Sequence, residues 1–121
     1  MGNIVFTAND DGTTDAVGKQ GATWYFTLSV KDEDDVAIDL TGYTARGQIR
    51  RKYTSEDFIE EFTCALAVDP TTGIINVLLS DSETDLIAKG KYVYDIEMES
   101  STGYVTRLIQ GKLSVDPQVT K

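Results

Sequence analysis

The chain has 121 residues, 40 % of them hydrophobic and 26 % charged, a globular balance that excludes a disordered acidic tail and suffices for one core. Its 20 acidic residues outnumber 11 basic ones, for a net charge of −9, so neither nucleic acid nor a membrane surface is expected as partner. Histidine is absent and Cys64 is the single cysteine, which excludes a Ser/His/Asp or Cys/His triad, a histidine-bound transition metal and an internal disulfide.

Taken in chain order, the sequence is a series of short β-branched and aromatic segments separated by turn residues, the pattern of a sandwich or barrel. Ile4 to Thr7 fits a first strand, and Ala8-Asn9-Asp10-Asp11-Gly12 is turn composition, so residues 1–20 read as an N-terminal strand followed by loop. Ala22 to Val30 alternates cleanly, with Trp24, Phe26, Leu28 and Val30 on one face, and Trp24 is the expected core anchor. Lys31-Asp32-Glu33-Asp34-Asp35 cannot be buried unpaired and reads as the exposed tip of a hairpin leading to Ile38-Asp39-Leu40. Tyr43 to Arg51 follows, with Ala45, Gly47 and Ile49 on an inner face, small enough to pack under Trp24, and Arg46, Gln48 and Arg50 outside.

Phe58 to Val68 alternates through Phe62, Cys64, Leu66 and Val68, with Cys64 packing as a small hydrophobe. Asp69-Pro70-Thr71-Thr72-Gly73 turns the chain into an antiparallel return over Ile74 to Leu79. The single helical signature lies in Ser80 to Gly90, with cap candidates and acids in front and a glycine stop, and predicts a short helix near residues 82–89. Lys91 to Glu99 and Tyr104 to Val115 form the longest hairpin, with Tyr92, Tyr94, Ile96 and Met98 sharing a face. Arg107 breaks the apolar parity of the last strand, and Asp95 is its natural partner. Asp116-Pro117 stops the sheet, leaving 116–121 as a short tail, and residues 1–121 read as one β-sandwich domain.

Few constellations suit chemistry. The acids at Asp32 to Asp35 are near enough for Ca²⁺, yet they lack the glycine-punctuated Asp-x-Asp-x-Asp-Gly loop and read as a solvated tip. Asp95 and Glu97 share a strand face as paired carboxylates do in glycoside hydrolysis, but exposed acids on a sheet are the simpler account and the one adopted. Ser80-Asp81-Ser82 is explained by helix capping. No catalytic, cofactor-binding or metal-binding residue is therefore assigned. The candidate interaction surface is Tyr25, Tyr53 and Tyr104 with Arg46 and Arg50, because tyrosines on a β surface make a platform for proteins or sugars. Arg46, Arg50, Arg51 and Lys52 form the one local basic patch. No apolar run approaches a membrane span, and Met1-Gly2-Asn3 leads into a strand rather than a signal sequence, so synthesis in the cytosol is expected.

From Gly21 to Thr120 the order of motifs resembles the small immunoglobulin-like domains of tailed-bacteriophage structural proteins, among them the N-terminal domain of baseplate upper proteins and related tail or neck proteins. The resemblance is carried by Gly21-Ala22-Thr23-Trp24, Ile38-Asp39-Leu40-Thr41-Gly42-Tyr43, Gln48-Ile49-Arg50 and Asp69-Pro70-Thr71-Thr72-Gly73-Ile74-Ile75. It continues through Leu79-Ser80, Gly90-Lys91-Tyr92-Val93-Tyr94-Asp95-Ile96-Glu97 and Gln110-Gly111-Lys112-Leu113-Ser114-Val115. It implies an immunoglobulin-like antiparallel β-sandwich and a non-enzymatic virion protein, made in the host cytoplasm, that docks on other virion proteins or on a copy of itself. The long helical and fibre-binding region that follows in baseplate upper proteins is not in these 121 residues, so a tail, neck or decoration role is expected. The alternative from another class is a carbohydrate-binding or adhesion module using the exposed tyrosines.

Overall fold

The structure is a computed structural model and describes residues 3–117. Its strands are β1 (Ile4–Ala8), β2 (Thr14–Lys19), β3 (Trp24–Ser29), β4 (Thr44–Arg50), β5 (Glu60–Leu66), β6 (Ile74–Leu79), β7 (Gly90–Glu99) and β8 (Val105–Asp116). They follow one hydrogen-bonded order, β1-β2-β8-β7-β4-β5-β6-β3. That continuous ribbon folds over on itself at β5, whose first half pairs with β4 (Gly47 opposite Phe62) and whose second half pairs with β6 (Cys64 opposite Val77). A strand that changes sheets makes the corner of a sandwich, and here it lays β3-β6-β5 over β8-β7-β4. This is the arrangement of an immunoglobulin-like sandwich, in which the second and fifth main strands face a sheet of the third, sixth and seventh.

Alternation explains what fills the space between the sheets. β3 and β6 send Trp24, Phe26, Ile75, Val77 and Leu79 inward, to meet Ile49 of β4, Tyr92, Tyr94, Ile96 and Met98 of β7, and Leu113 and Val115 of β8. The ring of Phe26 packs edge-on against Phe6 and Phe62 with centroids 4.8 and 6.1 Å apart. Trp24 has no exposed surface, and its Nε1 donates to the Lys19 carbonyl at 2.8 Å, which satisfies the one polar atom of the indole.

Several expectations change. Residues 14–19 form a strand rather than loop, and β2 runs parallel to β8, so the sandwich is antiparallel except at that pair. The signal in β2 is weak because two of its inward positions are Ala16 and Gly18, small residues that carry little hydrophobic periodicity. Their smallness has a purpose: a Cβ on Gly18 would overlap the Trp24 ring. It is Gly18, not Gly47, that lies against Trp24, while Gly47 makes room for Ile96 and Phe62. The acidic run closes as the expected hairpin tip, with the antiparallel Lys31–Ala37 bridge flanked by backbone bonds from the Asp32 N–H to the Val36 carbonyl and from the Ile38 N–H to the Val30 carbonyl. The pairing stops there, and β3 itself pairs with β6. Val68 lies beyond β5 and is fully exposed, so the alternation ends at Leu66.

The helix α1 (Asp81–Asp85) forms in the expected segment but is shorter than 82–89. Ser80 and Glu83 close a reciprocal capping box at its start, and the buried Thr84 hydroxyl donates to the Ala22 carbonyl at 2.7 Å. The chain then drops Ile87 into the core and enters β7, where the Tyr92 hydroxyl donates to the Ala88 carbonyl at 2.6 Å. This is the tyrosine corner of immunoglobulin-like sandwiches: a tyrosine at the start of the sixth strand bonding the backbone just upstream. In β8 the parity break at Arg107 has a cause, a register shift that pairs Ile96 with Ile109 but Glu97 with Arg107, leaving Leu108 as the extra residue of a bulge. Residues 118–121 of the expected tail lie outside the described residues.

Urea unfolding of the whole chain tests this core: Trp24→Ala is expected to cost about 3–5 kcal/mol by opening a cavity between the sheets. Tyr92→Phe, which removes only the corner hydrogen bond, is expected to cost about 1 kcal/mol.

Candidate functional site

With the inner faces consumed by the core, function falls to the two outer faces and the loops, and the two faces differ in chemistry. On the β3-β6-β5 side the outward side chains fall into cross-strand rows: Tyr25, Leu78 and Thr63, then Thr27, Asn76 and Ala65, then Ser29 beside Ile74. None of them is charged, although charges make up 26 % of the chain. Tyr25 is 45 % and Leu78 39 % exposed, side by side in the first of these rows.

The β4-β7-β8 side is the opposite. Register places Arg46, Glu97 and Arg107 in one row, Gln48, Asp95 and Gln110 in the next, and Arg50, Val93 and Lys112 in the third. Arg46 donates from Nε to Glu97 at 2.6 Å and from Nη1 to Glu99 at 2.8 Å, and these bonds hold its guanidinium above its already high ordinary value. Arg50 turns back to the loop, donating to the Ser55 and Glu56 carbonyls and to Gln48 Oε1. Arg107 lies 3.5 Å from Asp95, the pairing expected from the sequence. Tyr53, from the β4–β5 loop, joins Gln48, Arg50, Val93, Asp95, Arg107 and Gln110 in lining an open depression of about 410 Å³.

Asp95 sits in the middle row. Burial raises its pKa above the ordinary aspartate value, against the opposing pull of Arg107. Burial and the carboxylates of Asp15 and Asp95 likewise raise the Tyr53 phenol. Three other aspartates show the reverse. Asp11, Asp39 and Asp69 each precede a threonine by two residues and accept from both its hydroxyl, at 2.6 Å, and its backbone N–H, which lowers their pKa values. Burial pushes the Cys64 thiol up to about 11, so it stays protonated and packs as an apolar group at neutral pH.

The candidate surface read from the sequence is therefore divided. Tyr25 lies on the uncharged face, Arg46, Arg50 and Tyr53 belong to the charged one, and Tyr104, 72 % exposed, stands at the β7–β8 turn. Five residues expected to act together occupy three places, because outward parity alone does not say which sheet a strand joins. Gln48 and Gln110 were absent from that set. Their signal was present only as outward parity, and it is the β7–β8 register that puts them on either side of Asp95. At the acidic tip, Asp32 Oδ1 accepts from the backbone N–H groups of Asp34 and Val36, and Asp35 adopts a left-handed backbone with φ 63°. The Asp32 carboxylate thus caps its own turn.

No family model matches the chain, and no curated protein matches it. Among solved structures it is similar to CopC from Methylosinus trichosporium OB3b, at 17 % identity over 81 % of this chain and 99 % of that one, with a TM-score of 0.40. It is also similar to murine CRIg, at 7 % identity over 95 % of this chain and 98 % of that one, again with a TM-score of 0.40. Neither likeness adds to the topology described above.

The half-buried Asp95 carboxylate gives a signed test. A raised pKa means that the charged form is penalised on folding, so the penalty exists above the folded pKa and fades as pH falls through it toward the unfolded value. Asp95→Asn is expected to raise the thermal midpoint at pH 7, with the gain disappearing below about pH 4, where aspartate is protonated in both states.

Proposed function

We propose that this chain is a non-enzymatic structural component of a tailed-bacteriophage virion, an assembly module of the tail, baseplate or neck. It docks on another virion protein through the outer face of β3-β6-β5. The observation that carries the reading is the absence of charge across that face, which includes the exposed Tyr25–Leu78 pair. Interface centres are depleted in charge and enriched in tyrosine, whereas a free surface on a chain of net charge −9 is expected to carry acids. The resemblance over Gly21 to Thr120 supports the virion setting, and the lack of any histidine supports a role without acid–base chemistry. Synthesis in the host cytoplasm and incorporation into the particle follow from the same reading.

Mass spectrometry and immunogold labelling of purified virus particles from the source culture test it. The expected result is stoichiometric protein at the tail or neck, with Leu78→Lys folding normally but failing to incorporate. Confinement to the infected-cell lysate, or normal incorporation of Leu78→Lys, overturns it, and a concentration-dependent dimer abolished by Leu78→Lys reassigns the face to a second copy of this chain.

A further inference from the structure

We propose that the depression on the outer face of β4-β7-β8, between Tyr53 and the row Gln48-Asp95-Gln110, binds a sugar unit of a neutral glycan. The site lies on the sheet opposite the assembly face, so it stands independently of the assembly reading.

The argument is one of matching chemistry. Among the described residues no hydrogen bond reaches the Asp95 carboxylate, whose nearest cation is Arg107 at 3.5 Å, and none reaches the Tyr53 hydroxyl. The Gln110 oxygen accepts from Arg107 Nη1 at 3.1 Å, which leaves its amide N–H₂ free. The Gln48 oxygen accepts from Arg50 at 2.6 Å, while its N–H₂ reaches only a long 3.4 Å contact with Glu61. Acceptors on Asp95 and donors on both flanking amides therefore converge with unused capacity, on a carboxylate already partly withdrawn from water.

The charge pattern narrows the ligand. An anion would meet Asp95 at the centre, a cation would meet Arg107 and Arg50 beside it, and an apolar molecule would find only Val93 and the tyrosines Tyr53 and Tyr94 among polar and charged groups. What fits is an uncharged ligand carrying donors and acceptors around its rim and a flat C–H face for the Tyr53 ring, the description of a pyranose. The dimensions agree. Gln48 and Gln110 lie on strands either side of β7, about 10 Å apart at the usual strand spacing. The depression of about 410 Å³ falls within the usual range of small-ligand sites.

The test is a titration of the ¹⁵N-labelled full chain with glucose, galactose, mannose, rhamnose, N-acetylglucosamine and N-acetylgalactosamine. Each is taken to about 50 mM, since one stacking face and a few hydrogen bonds hold a single ring at roughly millimolar Kd. The expected result is saturable shifts for at least one sugar at the amides of Tyr53, Asp95 and Gln110, and none on β3 or β6. Tyr53→Ala, on an exposed loop, is expected to weaken binding at least about tenfold, and Asp95→Asn by a similar factor. Because Asp95→Asn is expected to stabilise the fold, its loss of binding is not loss of structure. No saturable shift at these residues with any of the six sugars, or an unchanged Kd in both variants, overturns the proposal.

Discussion

The indole of Trp24 is the contact on which the rest of the molecule depends, because it ties one sheet to the other with both of its properties. It is anchored on β3, its ring lies against Gly18 of β2, and its N–H is spent on the Lys19 carbonyl at the end of that strand. A side chain of this size filling the intersheet space fixes how closely β2 approaches, and hence that β2 adds to the free side of β8 rather than leaving as a loop. Gly111 performs the matching task further along. A Cβ there would collide with the Thr14 carbonyl, and its absence lets that oxygen accept from the Tyr94 hydroxyl at 2.5 Å. Two glycines, a tryptophan and a tyrosine thus seat a strand that has little hydrophobic pattern of its own.

The charged outer face takes its order from the pairing of β7 with β4 and β8. The bulge at Leu108 shifts the register so that Arg107 falls outside opposite Glu97, while Gln110 comes level with Asp95. Without that extra residue the parity of β8 would bury the arginine. The polar grid is therefore a consequence of backbone geometry, and its central carboxylate is held where burial opposes its charge. A group kept at a cost to stability, with its hydrogen-bonding capacity unspent, is more economically explained by binding than by folding. The opposite face needs no such devices. Its uncharged rows follow directly from the outward residues of β3, β6 and the second half of β5.

The division of chemistry between the faces comes from the corner at β5. Glu60 and Glu61 belong to the half that pairs with β4, and Thr63 and Ala65 to the half that pairs with β6, so a single strand leaves its acids on one side of the bend and its neutral residues on the other. A sandwich made this way can present a neutral surface to one partner and a hydrogen-bonding surface to another without either interfering.

Much of this was determined by the sequence alone. Alternation placed Trp24, Phe26, Ile49, Tyr92, Tyr94, Ile96 and Met98 inside, the capping residues Ser80 and Glu83 started the helix, and Asp69-Pro70-Thr71 with Gly73 made the turn before β6, because these are local effects of side-chain period and turn chemistry. The pairing of Asp95 with Arg107 was legible for the same reason, as a charge out of step with its strand. What the tertiary structure decided is non-local. Parity says that a residue faces out, but not which sheet its strand joins, so Tyr25 and Tyr53 separated and Gln48 and Gln110 came together around Asp95. The strand β2 was hidden because its inner positions are small, and small residues become informative only when the Trp24 ring that needs the space is in place.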